Sequence, residues 1–176
     1  MPYDDSLRLA SRQAQQGLLI SPKTSIHTSM KTNNSSTVVV ADTSGLMSLL
    51  VDTDANHHKA LALSTLFDDS PGAVIIPSHV FSELMNVVGK KLGHQIAVAI
   101  GQGILSDPTY LILESDKELA EALERFAHQP SSVSFTDCIV MVLADRFETK
   151  VIFGFDEVFR KNGYRLPAAP KQEQAA

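Results

Sequence analysis

The chain has 176 residues, 44% of them hydrophobic, which suits one domain with a core and short tails. Its formal charge of −5 gives the surface no general pull toward nucleic acid. That excludes a non-specific coating role, but not an enzyme whose bound metal reverses the sign locally. The single cysteine, Cys138, excludes an intrachain disulfide and fits a reducing, cytoplasmic compartment. No run approaches the roughly 18 apolar residues of a membrane helix, and no secretory leader is evident.

In chain order, residues 1–36 are rich in Ser, Thr, Gln and Asn and read as a flexible N-terminal extension. The folded domain is expected over 37–167, with a loose tail at 168–176. TVVVA is a β-branched run suited to a strand buried on both faces. SGLMSLLV and HHKALALSTLF read as helices separated by a polar loop. AVIIP follows Pro71 and Gly72 as a second strand. SHVFSELMNVVGKKL and HQIAVAIGQGILS then give two more helices, and TYLILE a third strand. Ser115 with Glu118 predicts a capping box for the charged helix DKELAEALERFAHQ. Ser134 opens the helix FTDCIVMVLADRFE, and Ser134-x-x-Asp137 is itself a reciprocal-cap pattern. Cys138, flanked by Ile139, Val140 and Met141, reads as a buried, inert thiol. KVIFGF is the fourth strand, EVFRKN a short helix ending at Gly163, and YRLP a candidate edge strand. Strands alternating with helices predict a three-layer α/β/α fold around a parallel sheet of four to five strands.

Four carboxylates sit beside or within apolar runs: Asp42, Glu83, Asp137 and Asp156. Asp42 directly follows the first strand and Asp156 the fourth. Ligands of an open parallel sheet bind beyond the carboxyl ends of its strands, where these two would meet. Each also has a plain structural reading, because Asp is favoured at helix N-caps. Glu83 falls in mid-helix between Val80 and Val87, on a stripe that points to the core or to a cleft. Ionised and unpaired burial there would cost several kcal/mol; the plain structural reading is a Glu paired with a basic side chain or snorkelling to solvent. These acids are therefore helix caps or the walls of one acidic pocket. Oxygen ligands suit Mg²⁺ or Mn²⁺ and do not suit zinc. A pair of such ions about 3.5–4 Å apart can activate a water and stabilise the leaving oxygen of a phosphodiester.

The stretches DTSGLMSLL, PSHVFSELMNVV, SFTDCIVMVLADRF and KVIFGFDEVFRKNGYRLP resemble the motifs of the PIN domain family, and especially its VapC-like ribonuclease toxins. The resemblance spans about residues 38–167. It implies a PIN-like fold and metal-dependent endoribonuclease activity. Asp42, Glu83, Asp137 and Asp156 become the catalytic and Mg²⁺- or Mn²⁺-binding acids, Glu83 through a water. Ser44 and Ser134 become polar supports. The implied partners are an RNA substrate, a small antitoxin and a second copy of the chain, with no membrane and a cytoplasmic setting. The second and third helices are the expected dimer face. The family often has Thr or Ser two residues before the last Asp, where this chain has Gly154. A PIN-fold scaffold acting through protein partners is the alternative.

Other features carry less. Gly101, Gly103 and Ser106 lack the strand and last glycine of a dinucleotide loop. His57 and His58 are adjacent, which is poor geometry for one metal, and Asp52 and Asp54 lack the Gly and Glu of a calcium loop. Asp42 is followed two residues on by Ser44, not by the second Asp of a haloacid-dehalogenase-type phosphatase. Lys90, Lys91, Arg146, Lys150, Arg160, Lys161 and Arg165 are candidate phosphate contacts.

Overall fold

In the computed structural model, residues 38–67 and 71–168 are described. The expected N-terminal extension, and the C-terminal tail beyond residue 168, lie outside them. Four strands form one all-parallel sheet in the order β3-β2-β1-β4. These are β1 (Val39–Ala41), β2 (Val74–Pro77), β3 (Tyr110–Leu113) and β4 (Ile152–Phe153). β1 is wholly buried, as its β-branched run requires, and pairs with β2 on one side and β4 on the other. The fourth strand is shorter than KVIFGF suggested. The expected edge strand at YRLP reduces to one bridge, Arg165 with Val151.

The helices are α1 (Thr43–Leu50), α2 (His57–Ser64), α3 (Ser78–Lys91), α4 (His94–Ser106), α5 (Leu119–Ala127), α6 (Phe135–Arg146) and α7 (Glu157–Lys161). α1 packs on α2 and α3, and α3 on α4, while α5 pairs with α6. These groups flank the sheet and make the three-layer arrangement. α6 lies against β1, β2 and β4, and Cys138 through Ala144 are all buried. A helix apolar all round belongs in a core, and this one occupies it. Burial pushes the Cys138 thiol up, in keeping with an inert packing role.

Ser115 departs from the expected capping box. Its side chain makes no cap bond, and a 3₁₀ turn at Asp116–Glu118 precedes α5. The Ser115 hydroxyl is instead 2.7 Å from His79 Nδ1, and Glu118 pairs with Arg146. A nearby cation outcompeted the cap for the buried carboxylate.

The chain runs from β1 outward to β2 and β3, then returns through α5 and α6 to β4 on the far side of β1. The strand order therefore reverses between β1 and β4. A crevice opens there at the carboxyl ends. Gly45 lets α1 lie down across that point. A Cβ on Gly45 would sit 2.1 Å from the Phe153 carbonyl oxygen, so no larger residue fits without moving β4.

Candidate active site

A cleft of about 510 Å³ opens at this switch point. Asp42, Glu83, Asp137 and Asp156 all line it, together with Ser44 and Ser134. Residues spread over three helices and two strand ends thus meet in one place.

Asp42 leaves β1 in extended conformation and caps α1. It is 3% exposed. Its Oδ2 accepts from the Ser44 amide at 2.9 Å and from the Ser44 hydroxyl at 2.6 Å. Ser44 Oγ in turn accepts from the Phe155 amide at 3.0 Å. One hydroxyl therefore ties the end of β1 to the end of β4. Burial pushes the Asp42 carboxyl up to about 6 against the pull of both Ser44 bonds, and the charges of Asp137 and Asp156 add to the rise.

Asp137 lies at the third position of α6, in the expected capping box. Ser134 N–H donates to its Oδ2 at 2.7 Å, and its own N–H donates to Ser134 Oγ at 3.0 Å. Asp156 occupies the N-cap position of α7, yet its side chain makes no cap bond. Desolvation first, then the charge of Asp137, raises its pKa, while the nearby Ser44 hydroxyl opposes the rise. The two readings of these acids are thus compatible. Asp42 and Asp137 are caps and also face the cleft.

Glu83 stands on the cleft side of α3, but it is exposed. The buried stripe of that helix is Val80, Leu84 and Val88. The burial penalty expected for Glu83 does not arise. An unbranched stem one position before Leu84 carries its carboxylate out to the rim.

Gly154 is buried against the site. A Cβ there would come within 2.8 Å of the Phe159 ring and 2.9 Å of the Asp42 Cβ. The space of a Thr or Ser side chain is already filled, so the hydroxyl at this place comes from Ser44 on the opposite strand end.

Of the seven basic candidates, Lys91 alone lines the cleft. Arg146 pairs with Glu118, Lys150 with Asp145, and Arg160 and Lys161 both with Glu157. Seven other cleft residues were not singled out by the sequence reading, among them Asp54, Thr43, Met47 and Phe155. Asp54, set aside as a loop acid, lines the wall and accepts from Ser48 Oγ at 2.9 Å and the Asn56 amide at 2.8 Å. The Asn56 bond, followed by that of Ser48, holds its pKa below the usual carboxylate range. Thr43 Oγ1 is buried with no hydrogen-bond partner. Met47 and Phe155 supply apolar surface. Only the position of Phe155, directly before Asp156, gave a signal.

The donor set fits a hard divalent cation: carboxylate oxygens, hydroxyls including one orphan, and no imidazole or thiol. Asp42, Asp137 and Asp156 would hold it, with Glu83 reaching in from the rim. Among the described residues, no three His, Cys, Asp or Glu side chains are gathered closely enough to hold an ion. Burial first, and then the charges of Asp137 and Asp156, raise the Asp42 pKa.

Among the described residues, no helix is long and apolar enough to cross a membrane. The fold is similar to that of the Mycobacterium tuberculosis VapC20 toxin, described as cleaving the sarcin–ricin loop. The two share 23% identity with a TM-score of 0.64, over 72% of this chain and 96% of that one. No match is found among curated protein sequences. The family profile of the PIN domain matches residues 39–163, most of the described chain, and the protein belongs to the PIN domain family.

Proposed function

We propose that the protein is a nuclease that hydrolyses RNA phosphodiester bonds with Mg²⁺ or Mn²⁺ bound to Asp42, Asp137 and Asp156. Membership of the PIN domain family supports the nuclease class. The observation that carries the finer reading is the acidic cleft at the switch point, where burial and two like-charged neighbours raise Asp42 to about 6. In the reaction, water oxygen joins phosphorus as the ester P–O bond breaks. A divalent cation bound there supplies acidification of the water and neutralisation of charge on the leaving oxygen. The chain's own part is positioning. Ser44 orients the Asp42 carboxylate, the Ser134 cap orients Asp137, and Lys91 offers a cation to a substrate phosphate.

Purified protein should cleave RNA with Mn²⁺ and lose that activity in chelator. Asp42→Asn and Asp137→Asn should each lower cleavage about 10²–10³-fold. Absence of cleavage by the parent protein, with no effect of either change, would leave the PIN-fold scaffold reading standing. That no three acids among the described residues are gathered closely enough to hold an ion is the observation that favours that alternative.

The proposal extends to a toxin restrained by a small antitoxin, working as a cytoplasmic homodimer. It rests on the resemblance of the motifs to VapC-like toxins, one of which, VapC20, shares the fold and is described as cleaving the sarcin–ricin loop. The expected dimer face on the second and third helices shows Leu61 and, just past the helix ends, Leu66 and Leu92 exposed. α4 and α5 expose Val98, Leu105, Leu123 and Phe126 as well. Light scattering at micromolar concentration tests the dimer. Rescue of growth by the neighbouring reading frame tests the antitoxin.

A further inference from the structure

A cleft built of acids repels the phosphates it must hold, so binding needs features of another kind. Two kinds stand in or beside it. Phe155 lines the cleft directly before Asp156, partly exposed. Its amide is fixed by Ser44 Oγ at 3.0 Å, and its ring lies edge-on to Phe153 with centroids 6.2 Å apart. The ring is therefore anchored at its backbone and braced by the core. The exposed Lys59 of α2 places its ammonium 5.5 Å from the centre of that ring. Lys91 faces the same space from the end of α3. Among the described residues, neither lysine forms a salt bridge, although most other basic groups considered above do; the charge of Lys91 contributes to the lowered pKa of Asp54.

From this geometry we infer that Phe155 is the stacking platform for one unpaired nucleobase of the substrate, and that Lys59 and Lys91 hold the phosphates on either side of it. An aromatic face beside cations is how single strands are held without regard to sequence. A base in a duplex is stacked on its neighbours and does not offer its face. Phe155 therefore demands an unpaired base at this one position of the bound strand. This rests on the nuclease reading for its biological meaning, but the binding itself does not require that cleavage occur.

The test uses the full chain carrying Asp137→Asn, to prevent cutting. The probe is a short single-stranded RNA with one 2-aminopurine, compared with its duplex. Binding should quench the 2-aminopurine and should favour the single strand at least tenfold. Phe155→Leu should weaken binding about tenfold or more and abolish the quench, whereas Phe155→Trp should keep both. Lys59→Gln and Lys91→Gln should each reduce the slope of log affinity against log salt by about one. Single-strand binding within twofold of the parent in a folded Phe155→Leu protein overturns the inference. Should that variant fail to melt cooperatively, unchanged salt slopes in both lysine variants overturn it instead. Unaltered protein that cleaves, while the Phe155 and lysine variants bind normally, refutes the platform alone. Unaltered protein that never cleaves with Mn²⁺, while the Asp137→Asn chain binds and quenches, refutes the nuclease reading alone.

Discussion

α6 carries one aspartate near each end, and the two have opposite fates. Asp137 lies in its first turn and lines the cleft with Asp42 and Asp156, whose pKa values its charge helps to raise. Asp145 lies in its last turn, where Oδ2 accepts from Arg125 at 2.6 Å and from the Tyr164 hydroxyl at 2.8 Å, and Oδ1 from Lys150 at 2.5 Å. Lys150 also lies 4.7 Å from the Tyr164 ring centre. Burial alone would raise the Asp145 pKa, but the bonds from Lys150, Arg125 and Tyr164 prevail and hold it low. One end of the helix is charge-matched and knits α5, α6 and the C-terminal segment together. The other is left unneutralised. Stability is built where charges are paired, and the unpaired end is the one proposed to bind a cation.

The sharpest way to break this comparison is Asp42→Asn. Besides its large loss of cleavage, it should raise stability without metal by about 1–3 kcal/mol at pH 7.5, because a pKa near 6 means the ionised group opposes folding. Urea midpoints in chelator measure this. A drop in the midpoint would show that the site is not strained by its own charge. Asp145→Asn should act in reverse, costing about 1–3 kcal/mol as two cations lose their partner, while RNA cleavage stays within twofold.

pH separates the two ends further. A raised carboxyl contributes stability that is complete below its unfolded pKa and lost as pH rises through the folded one. The advantage of Asp42→Asn over the parent should therefore vanish near pH 4, grow through about 6 and then stay level. Asp145, with a lowered pKa, contributes stability above its unfolded pKa and loses it as acid titrates the folded group, so the deficit of Asp145→Asn should shrink on acidification. Saturating Mn²⁺ should reverse the picture at the cleft. The gain in melting temperature from the ion should fall as pH drops through about 6, since protonated Asp42 no longer ligates.

These contrasts also explain what the sequence could disclose. The β-branched run at Val39–Ala41, the caps at Asp42 and Ser134 and the buried helix around Val140 are local patterns, and each formed as its residues dictate. The meeting of Asp42 and Asp156, with Asp137 beside them, followed from the alternation of strands and helices, because a parallel sheet brings strand ends to one edge, whereas the place of Glu83 in the cleft was implied by the family resemblance. What stayed hidden depends on partners distant in sequence. Glu118 was drawn to Arg146 and not to Ser115, and Lys150 to Asp145 and not to a phosphate. The exposure of Glu83 turned on one position of helical phase. Gly154 looked like a missing hydroxyl, yet the Phe159 ring fills that space. Gly154→Ser should accordingly cost about 1–3 kcal/mol by overpacking and should not improve cleavage. Higher activity at unchanged stability would show that the hydroxyl is in fact wanting.

The smallest expected effect tests whether the two ends are independent. Tyr164 is 4% exposed, and its hydroxyl, pushed up to about 12 by burial first, accepts from Arg125 at 2.8 Å. It lies 2.8 Å from Asp145 Oδ2 and 3.1 Å from the Met141 carbonyl, and has one hydrogen to give. Tyr164→Phe keeps the ring and Lys150 above it, and removes only the hydroxyl, so about 1 kcal/mol should be lost. Combined with Asp145→Asn the losses should fall short of their sum by about 0.5–1.5 kcal/mol, since both changes remove the same bond. Combined with Asp42→Asn they should add. Asp137 and Asp145 are eight residues apart on α6, which at the helical rise is about 12 Å, beyond the range over which substitutions ordinarily couple. Non-additivity between Tyr164→Phe and Asp42→Asn would mean that α6 transmits strain along its length, and that the paired end sets the geometry of the unpaired one.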